Sequence, residues 1–167
     1  MKLESLKDLY LEQLRDLYDA ETQLVEALPK MAEAASSRDL QQAFNLHLQQ
    51  TREHVNRLER IFKKHNEKPT GQTCQGMKGL IKEGEEMIKS KSDPEVKDAG
   101  LIAAAQRVEH YEIAGYGTVR TYAELLGDDE AVRLLEKTLQ EEEETDDKLT
   151  ELAESHINAE AAHSVGR

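Results

Sequence analysis

Between Val108 and Tyr116 the chain reads V-E-H-Y-E-I-A-G-Y, which puts acid where a helical protein needs an apolar core. Leu101, Ala105, Val108, Glu112, Gly115, Val119 and Tyr122 recur in alternating steps of three and four. That is the spacing of a helix face packed against neighbouring helices. Glu112 falls on this seam, and Glu109 flanks it one turn earlier. A carboxylate buried alone is costly, so such groups are paired or bound to metal. Whatever fold the chain adopts must supply partners for this acid, and three other stretches show the same conflict.

The first helix is predicted from about Leu3 towards Pro29, with the seam Leu6, Tyr10, Leu14, Leu17, Glu21, Leu24 and Leu28. Pro29 is expected to kink or end it, because proline lacks an N–H and clashes with the preceding turn. Ser37 is the expected N-cap of a second helix reaching to about Asn66. Its seam is Leu40, Phe44, His47, Thr51, His54 (or Val55), Leu58 and Ile61 (or Phe62), polar in the middle. Residues 67–93 form a long connection in which Met77 to Ile88 predicts a short helix. Ser92-Asp93-Pro94-Glu95 signals a third long helix, with Asp93 as N-cap and Pro94 at its first position, reaching to about Leu126. Gly127 reads as its C-terminal cap. Asp128-Asp129 starts the fourth helix, with the seam Val132, Leu135, Leu139, Glu142, Asp146, Leu149 and Leu152.

Aligning the first and third seams superposes Glu21 on Glu112, suggesting two related halves. A connection this long can run the length of a helical bundle. The expected fold is therefore all-α: a four-helix bundle over residues 1–157, two antiparallel hairpins joined by a long crossover containing a short helix. Residues 158–167 lack periodicity and are expected to form a frayed tail.

Composition fits. Aromatics are 4% of the chain, there is no Trp, and helix-forming residues dominate. With 22 basic and 34 acidic residues the net charge is −12, which argues against nucleic acid or an anionic membrane as partner. The single cysteine, Cys74, allows no intrachain disulfide, so a reducing, cytoplasmic setting is expected. Neither a signal peptide nor an apolar run long enough to span a membrane is present in this sequence.

The polar residues on the four seams fit one constellation. Ferritin-like di-iron bundles take a Glu from each of two helices and Glu-x-x-His from the other two. Carboxylates suit this because hard oxygen donors bind iron or manganese and can bridge two ions. Glu21 and Glu112, with Glu109, fill the single-Glu roles; Glu142 and Asp146 come from the fourth helix, and His47 and Gln50 from the second. Neither Glu-x-x-His motif is present in strict form. Each residue has a plainer explanation when taken alone. Glu21 could be a core-edge ion pair, His47 a hydrogen-bonded core histidine, and Glu141–Glu144 mostly a solvated face. His54 and His110 read as structural or exposed. Together, however, the unpaired acids would repel one another without a metal or shared protons.

The chain resembles the YciF-type ferritin-like stress proteins of bacteria over nearly all of residues 3–157. The resemblance is carried by D-A-E-T-Q-L at 19–24, H-L-Q-Q-T at 47–51, T-C-Q-G-M-K-G-L-I at 73–81, D-A-G-L-I-A-A-A-Q-R-V-E-H-Y-E-I-A-G-Y-G-T at 98–118 and L-Q-E-E-E-E-T-D-D-K-L at 139–149. It implies a four-helix bundle with a short crossover helix, a carboxylate-rich dimetal site and a homodimer. The family's second-helix motif usually reads His-Leu-Glu-Glu-Thr, where this chain has Gln49-Gln50.

These readings converge on a non-haem site for two transition-metal ions, iron first and manganese second. Its expected ligands are Glu21, His47, Gln50, Glu109, Glu112, Glu142 and Asp146, and its expected chemistry is redox work on oxygen or peroxide under stress. The alternative is a non-catalytic assembly protein that uses the bundle to dimerise. Gln50→Glu tests the second-helix assignment. Restored charge should raise the melting shift on adding Fe(II) or Mn(II) above that of the wild type, while destabilising the metal-free protein. Equal shifts in mutant and wild type would remove Gln50 from the site.

Overall fold

The structure, a computed structural model, describes residues 3–164. Its long helices are α1 (Leu6–Ala34), α2 (Arg38–Lys64), α4 (Pro94–Leu125) and α5 (Asp129–Leu152), with α3 (Gln75–Lys89) on the crossover. α1 and α2 form one hairpin and α4 and α5 the other; α1 also packs on α4, and α2 on α5. The expected bundle is what forms.

Local chemistry sets most boundaries. Ser5, Ser37 and Asp128 each accept a backbone N–H of the first turn of the helix they precede. Gly127, at φ +72°, supplies the left-handed residue that closes α4. At three places the structure adds to the local expectations. Pro29, expected to kink or end α1, lies inside it, and the helix runs on to Ala34 with Leu28, Met31 and Ala32 around the proline buried in the core. Asp93 is the N-cap residue of α4 and Pro94 opens the helix, as expected, but the Asp93 carboxylate accepts the Ser164 hydroxyl instead of a backbone N–H of the first turn. Beyond α5 a π turn, Ala153–Ile157, leads into a further helix, α6 (Asn158–His163), which occupies the first residues of the expected tail. Ala153 and Ile157 are buried, and that apolar contact holds the segment down. Residues 165–167 of the expected tail lie outside the described residues.

Two aspartates clasp the hairpins together at opposite ends. Asp98, early in α4, accepts the backbone N–H of Ser36 at 2.8 Å and of Ser37 at 2.7 Å, in the turn between α1 and α2. Asp128, which caps α5, accepts Lys64 at 2.5 Å and His65 at 2.9 Å from the end of α2. These contacts make α1 antiparallel to α4 and α2 antiparallel to α5. The first contact brings Glu21 level with Glu112. α3 lies over α1 and α4. Its start is pinned where the Tyr111 hydroxyl donates to Asp16 at 2.7 Å and sits 3.0 Å from the buried Cys74 thiol.

The apolar core is divided. One cluster gathers Leu24, Leu28, Phe44, Leu101, Val108, Leu149 and the underside of α3. The other gathers Tyr10, Leu14, Leu58, Phe62, Tyr116, Val119 and Leu135. Between them lies a layer of buried Glu, His and Thr side chains from α1, α2, α4 and α5.

Asp98→Ala should lower stability by about 2 kcal/mol, since two hydrogen bonds to a charged acceptor are lost and water can partly replace them. Urea unfolding measures the change, and an unaltered midpoint would show that the clasp contributes nothing.

Candidate metal centre

The polar layer is built by period. On α2, His47, Thr51, His54 and Leu58 all face inward and all are buried. Thr51 turns its hydroxyl back to the His47 carbonyl at 2.9 Å, which leaves the two imidazoles to face the bundle. α1 contributes Glu21, α4 contributes Glu109 and Glu112, and α5 contributes Glu142. Each of these four carboxylates is at most 2% exposed.

Their atoms fall into two sets. Donor atoms of His47, Glu109, Glu112 and Glu142 lie within 4.8 Å of one another, as do those of Glu21, His54 and Glu142. Glu142 belongs to both sets. His47 Nδ1 stands 3.4 Å from Glu109, and His47 Nε2 stands 3.9 Å from Glu142. His54 Nδ1 is 3.2 Å from Glu21 and 3.0 Å from Glu142, close but without hydrogen-bond geometry.

Nine donor atoms of this layer are buried and have no hydrogen-bond partner among the described residues: Glu21 Oε2, both nitrogens of His47, His54 Nδ1, Glu109 Oε2, and both oxygens of Glu112 and Glu142. Leaving even one such atom unsatisfied costs about 1–3 kcal/mol, and more when it is charged. A helical bundle has no backbone donors to spare for them, because its N–H groups are used within the helices.

The surroundings hold the donors in place. His54 Nε2 meets Glu141 at 3.0 Å, and Arg57 grips Glu141 with two bonds of 2.6 and 3.0 Å. This fixes the ring so that Nδ1 points into the layer, an arrangement common behind metal-binding imidazoles. Tyr116, wholly buried, donates its hydroxyl to Glu21 and stacks edge-on against His54.

Protonation follows from burial and charge. Burial, reinforced by Glu142, pushes the carboxyls of Glu109 and Glu112 well above the ordinary value of 4.5. Glu21 is also raised by burial, with His54 pulling the other way. For Glu142 burial is outweighed by His54 and His47, and its carboxyl lies below the ordinary value. Burial alone would lower His54, but Glu21, Glu141 and Glu142 together push it up to about 12. Burial lowers His47. Glu141 is held at about 2 against burial, by His54 and Arg57.

Of the seven sequence-predicted ligands, five converge: Glu21, His47, Glu109, Glu112 and Glu142. Asp146 does not. The inner row of α5 runs through Leu135, Thr138, Glu142 and Leu149, so Asp146 turns towards α4, where it accepts Gln106 at 3.1 Å and stands 3.2 Å from the exposed His110. Gln50 lies beside the buried row of α2, half-buried, and gives no hydrogen bond to the unpartnered atoms of the cluster. His54, read from sequence as structural or exposed, faces the layer at 1% exposure. Its signal was the His47–Thr51–His54–Leu58 spacing. Glu141 was hidden in an acidic run, and only the fold pairs it with His54 and Arg57.

A pH test follows. Glu112 keeps its proton in the folded protein to a higher pH than in the unfolded chain, which releases it near 4.5. The folded state then binds more protons, so stability falls as pH rises above 4.5, by up to about 1.4 kcal/mol per pH unit for one group. Glu112→Gln imitates the protonated form at every pH. The metal-free variant should therefore be more stable than metal-free wild type at neutral pH and lose that advantage below pH 4.5. Parallel stability curves from acid to neutral pH would contradict the burial of this charge.

Comparison with known proteins places this geometry in a family. The domain of unknown function DUF892 matches residues 5–162. Protein YciF of Escherichia coli K12 is 46% identical over 166 residues, 99% of this chain and all of that protein. The crystal structure of the E. coli stress protein YciF aligns with a TM-score of 0.90, covering 93% of this chain and 99% of that one. At 16% identity, a two-domain protein of Anabaena variabilis containing a ferritin-like domain aligns with a TM-score of 0.62, over 98% of this chain and 40% of that one, a likeness of fold. An all-helical bundle of ferritin-like fold, matched over nearly its whole length by YciF, makes this chain a member of the DUF892 family.

Proposed function

We propose that the polar layer binds two transition-metal ions, iron first and manganese second, and that the protein carries out redox chemistry on oxygen or peroxide in the bacterial stress response. The observation that carries this reading is the set of nine buried, unpartnered donor atoms, all carboxylate oxygens or imidazole nitrogens. Hard oxygen donors with one or two imidazoles suit iron and manganese better than softer metals. His47, Glu109, Glu112 and Glu142 would hold one ion; Glu21, His54 and Glu142 would hold the other, with Glu142 shared. A bound pair of such ions supplies electrons to, or accepts them from, an oxygen species.

The chain's own residues do the remaining work. His54 must give up its Nδ1 proton to ligate, and Glu109 and Glu112 must lose theirs, so metal uptake releases protons and strengthens as pH rises. Glu141 and Arg57 orient His54 throughout. Tyr116 keeps its proton, because burial and the charge on Glu21 raise its pKa, and it steadies Glu21 as a donor. Gln50 leaves a neutral amide where the family motif has a carboxylate. The apolar clusters above and below the layer restrict water.

We further propose a cytoplasmic homodimer, on the strength of family resemblance and the single buried cysteine. Among the described residues no helix is long and apolar enough to cross a membrane. Light scattering should give twice the chain mass; a cage of many subunits would overturn the dimer.

Elemental analysis of protein purified without chelator tests the centre. Wild type should carry two ions per chain, Glu21→Ala one, and Glu142→Ala neither, because Glu142 serves both groups. Glu141→Gln, which weakens the grip on His54, should reduce affinity by about 10–100-fold without changing the number of ions. Anomalous scattering from Fe(II)-soaked crystals with no peak between these carboxylates would overturn the assignment.

A further inference from the structure

A small cavity lies between α1, α3 and α4, in the apolar cluster under the crossover helix. Its volume is about 40 Å³. One water-sized probe takes roughly 10–15 Å³ on this measure, so the space holds a molecule of two or three heavy atoms. Its walls are apolar: Leu28 and Met31 from α1, Gly84 from α3, and Ala104 and Val108 from α4. Its outer end reaches Lys30 and Glu85, an exposed ion pair of 3.2 Å. At its inner end it touches Glu109 of the polar layer.

The residues lining the cavity are less completely enclosed than several core residues beyond the layer. Leu28, Met31, Ala104 and Val108 retain 6–8% exposure, whereas Leu14, Leu58, Val119 and Leu135 on the far side of the layer retain at most 1%. The gap exists partly because position 84 has no side chain. A Cβ built there would stand 3.8 Å from the Met31 sulfur and 3.9 Å from Ala104 Cβ, in ordinary contact, so a larger residue could extend into the space without a backbone clash.

We propose that this cavity is the binding and entry site for a small, uncharged, weakly polar molecule of dioxygen size on its way to the carboxylate layer. Walls of methyl and methylene groups offer no hydrogen bonds, so water, hydrogen peroxide and ions lose solvation on entering and gain nothing back. A diatomic gas has no such solvation to lose. The inner end then delivers it beside Glu109, at the edge of the set formed with His47, Glu112 and Glu142. The proposal deepens the functional reading above by naming dioxygen rather than peroxide as the co-substrate. It rests on that reading only for the purpose of the delivery.

The cavity can be tested without metal. Dissolved dioxygen is paramagnetic and broadens the methyl resonances of residues it approaches. In the metal-free protein under oxygen pressure, the methyls of Leu28, Ala104 and Val108 should broaden more than those of the equally apolar Leu14 and Leu135. Gly84→Leu should abolish the excess broadening, and Ala104→Val serves as a second plug if the first variant folds poorly. Xenon diffused into crystals of the metal-free protein should occupy the same space. Broadening no greater at Leu28, Ala104 and Val108 than at Leu14 and Leu135, or broadening that survives both plugs, would overturn the entry site. Metal content measured on the wild type separates the two readings. Two ions bound with no excess broadening would defeat the cavity alone, and excess broadening in a wild type that takes up no metal would defeat the metal centre alone.

Discussion

Four carboxylates and two imidazoles share one buried layer, and the rest of the molecule is arranged to tolerate it. Each helix of the bundle brings at least one of these groups to the same height, so no single helix could be moved along its axis without exposing or stranding acid. The cost is local and electrostatic. Burial raises Glu21, Glu109 and Glu112, and only the two imidazoles offer charge of the opposite sign within the layer. The apolar clusters on either side supply the favourable free energy that keeps the layer closed.

Alignment of the layer depends on two contacts far from it. Asp98 ties the first hairpin's turn to the start of α4, and Asp128 ties the end of α2 to the start of α5. Because these clasps lie at opposite ends of the bundle, they set the relative height of the hairpins. A slip of one helical turn, about 5.4 Å, would carry a carboxylate out of reach of its partners. Packing of Leu17 against the bare face of Gly115 secures the α1–α4 approach at the same level, since a side chain at 115 would collide with Leu17.

Much of this was legible in the chain. The seams predicted for α1 and α2 reappear almost entire as buried rows, whereas Tyr116 and Ala123 on α4 and Ala131 and Thr138 on α5 take the inner places expected of Gly115, Tyr122, Val132 and Leu139. Glu21, His47, Glu112 and Glu142 stood out because each interrupts an apolar stripe. Such an interruption is visible without knowing the neighbours. Asp146 failed the same test because a step of four from Glu142 also fits the period, and only the α4–α5 crossing shows which way it turns. His54 was undervalued for the opposite reason: its environment is made by Glu21, Glu141 and Glu142, all remote in sequence. Pro29 does not end α1, since a local penalty of about 3 kcal/mol is outweighed by the burial of Leu28, Met31 and Ala32 around it. The last helical turns, Asn158–His163, escaped notice because none of their residues is buried, so no apolar period marks them.

The order in which the donors occur along the chain has a consequence for biosynthesis. Glu21, His47 and His54 belong to the first hairpin, Glu109 and Glu112 to α4, and Glu142, common to both sets, comes last. Synthesis proceeds from the N-terminus, so a nascent chain displays acids and imidazoles long before either set is complete. Until residue 142 has emerged neither donor set is complete, so gathering either one waits until both hairpins exist.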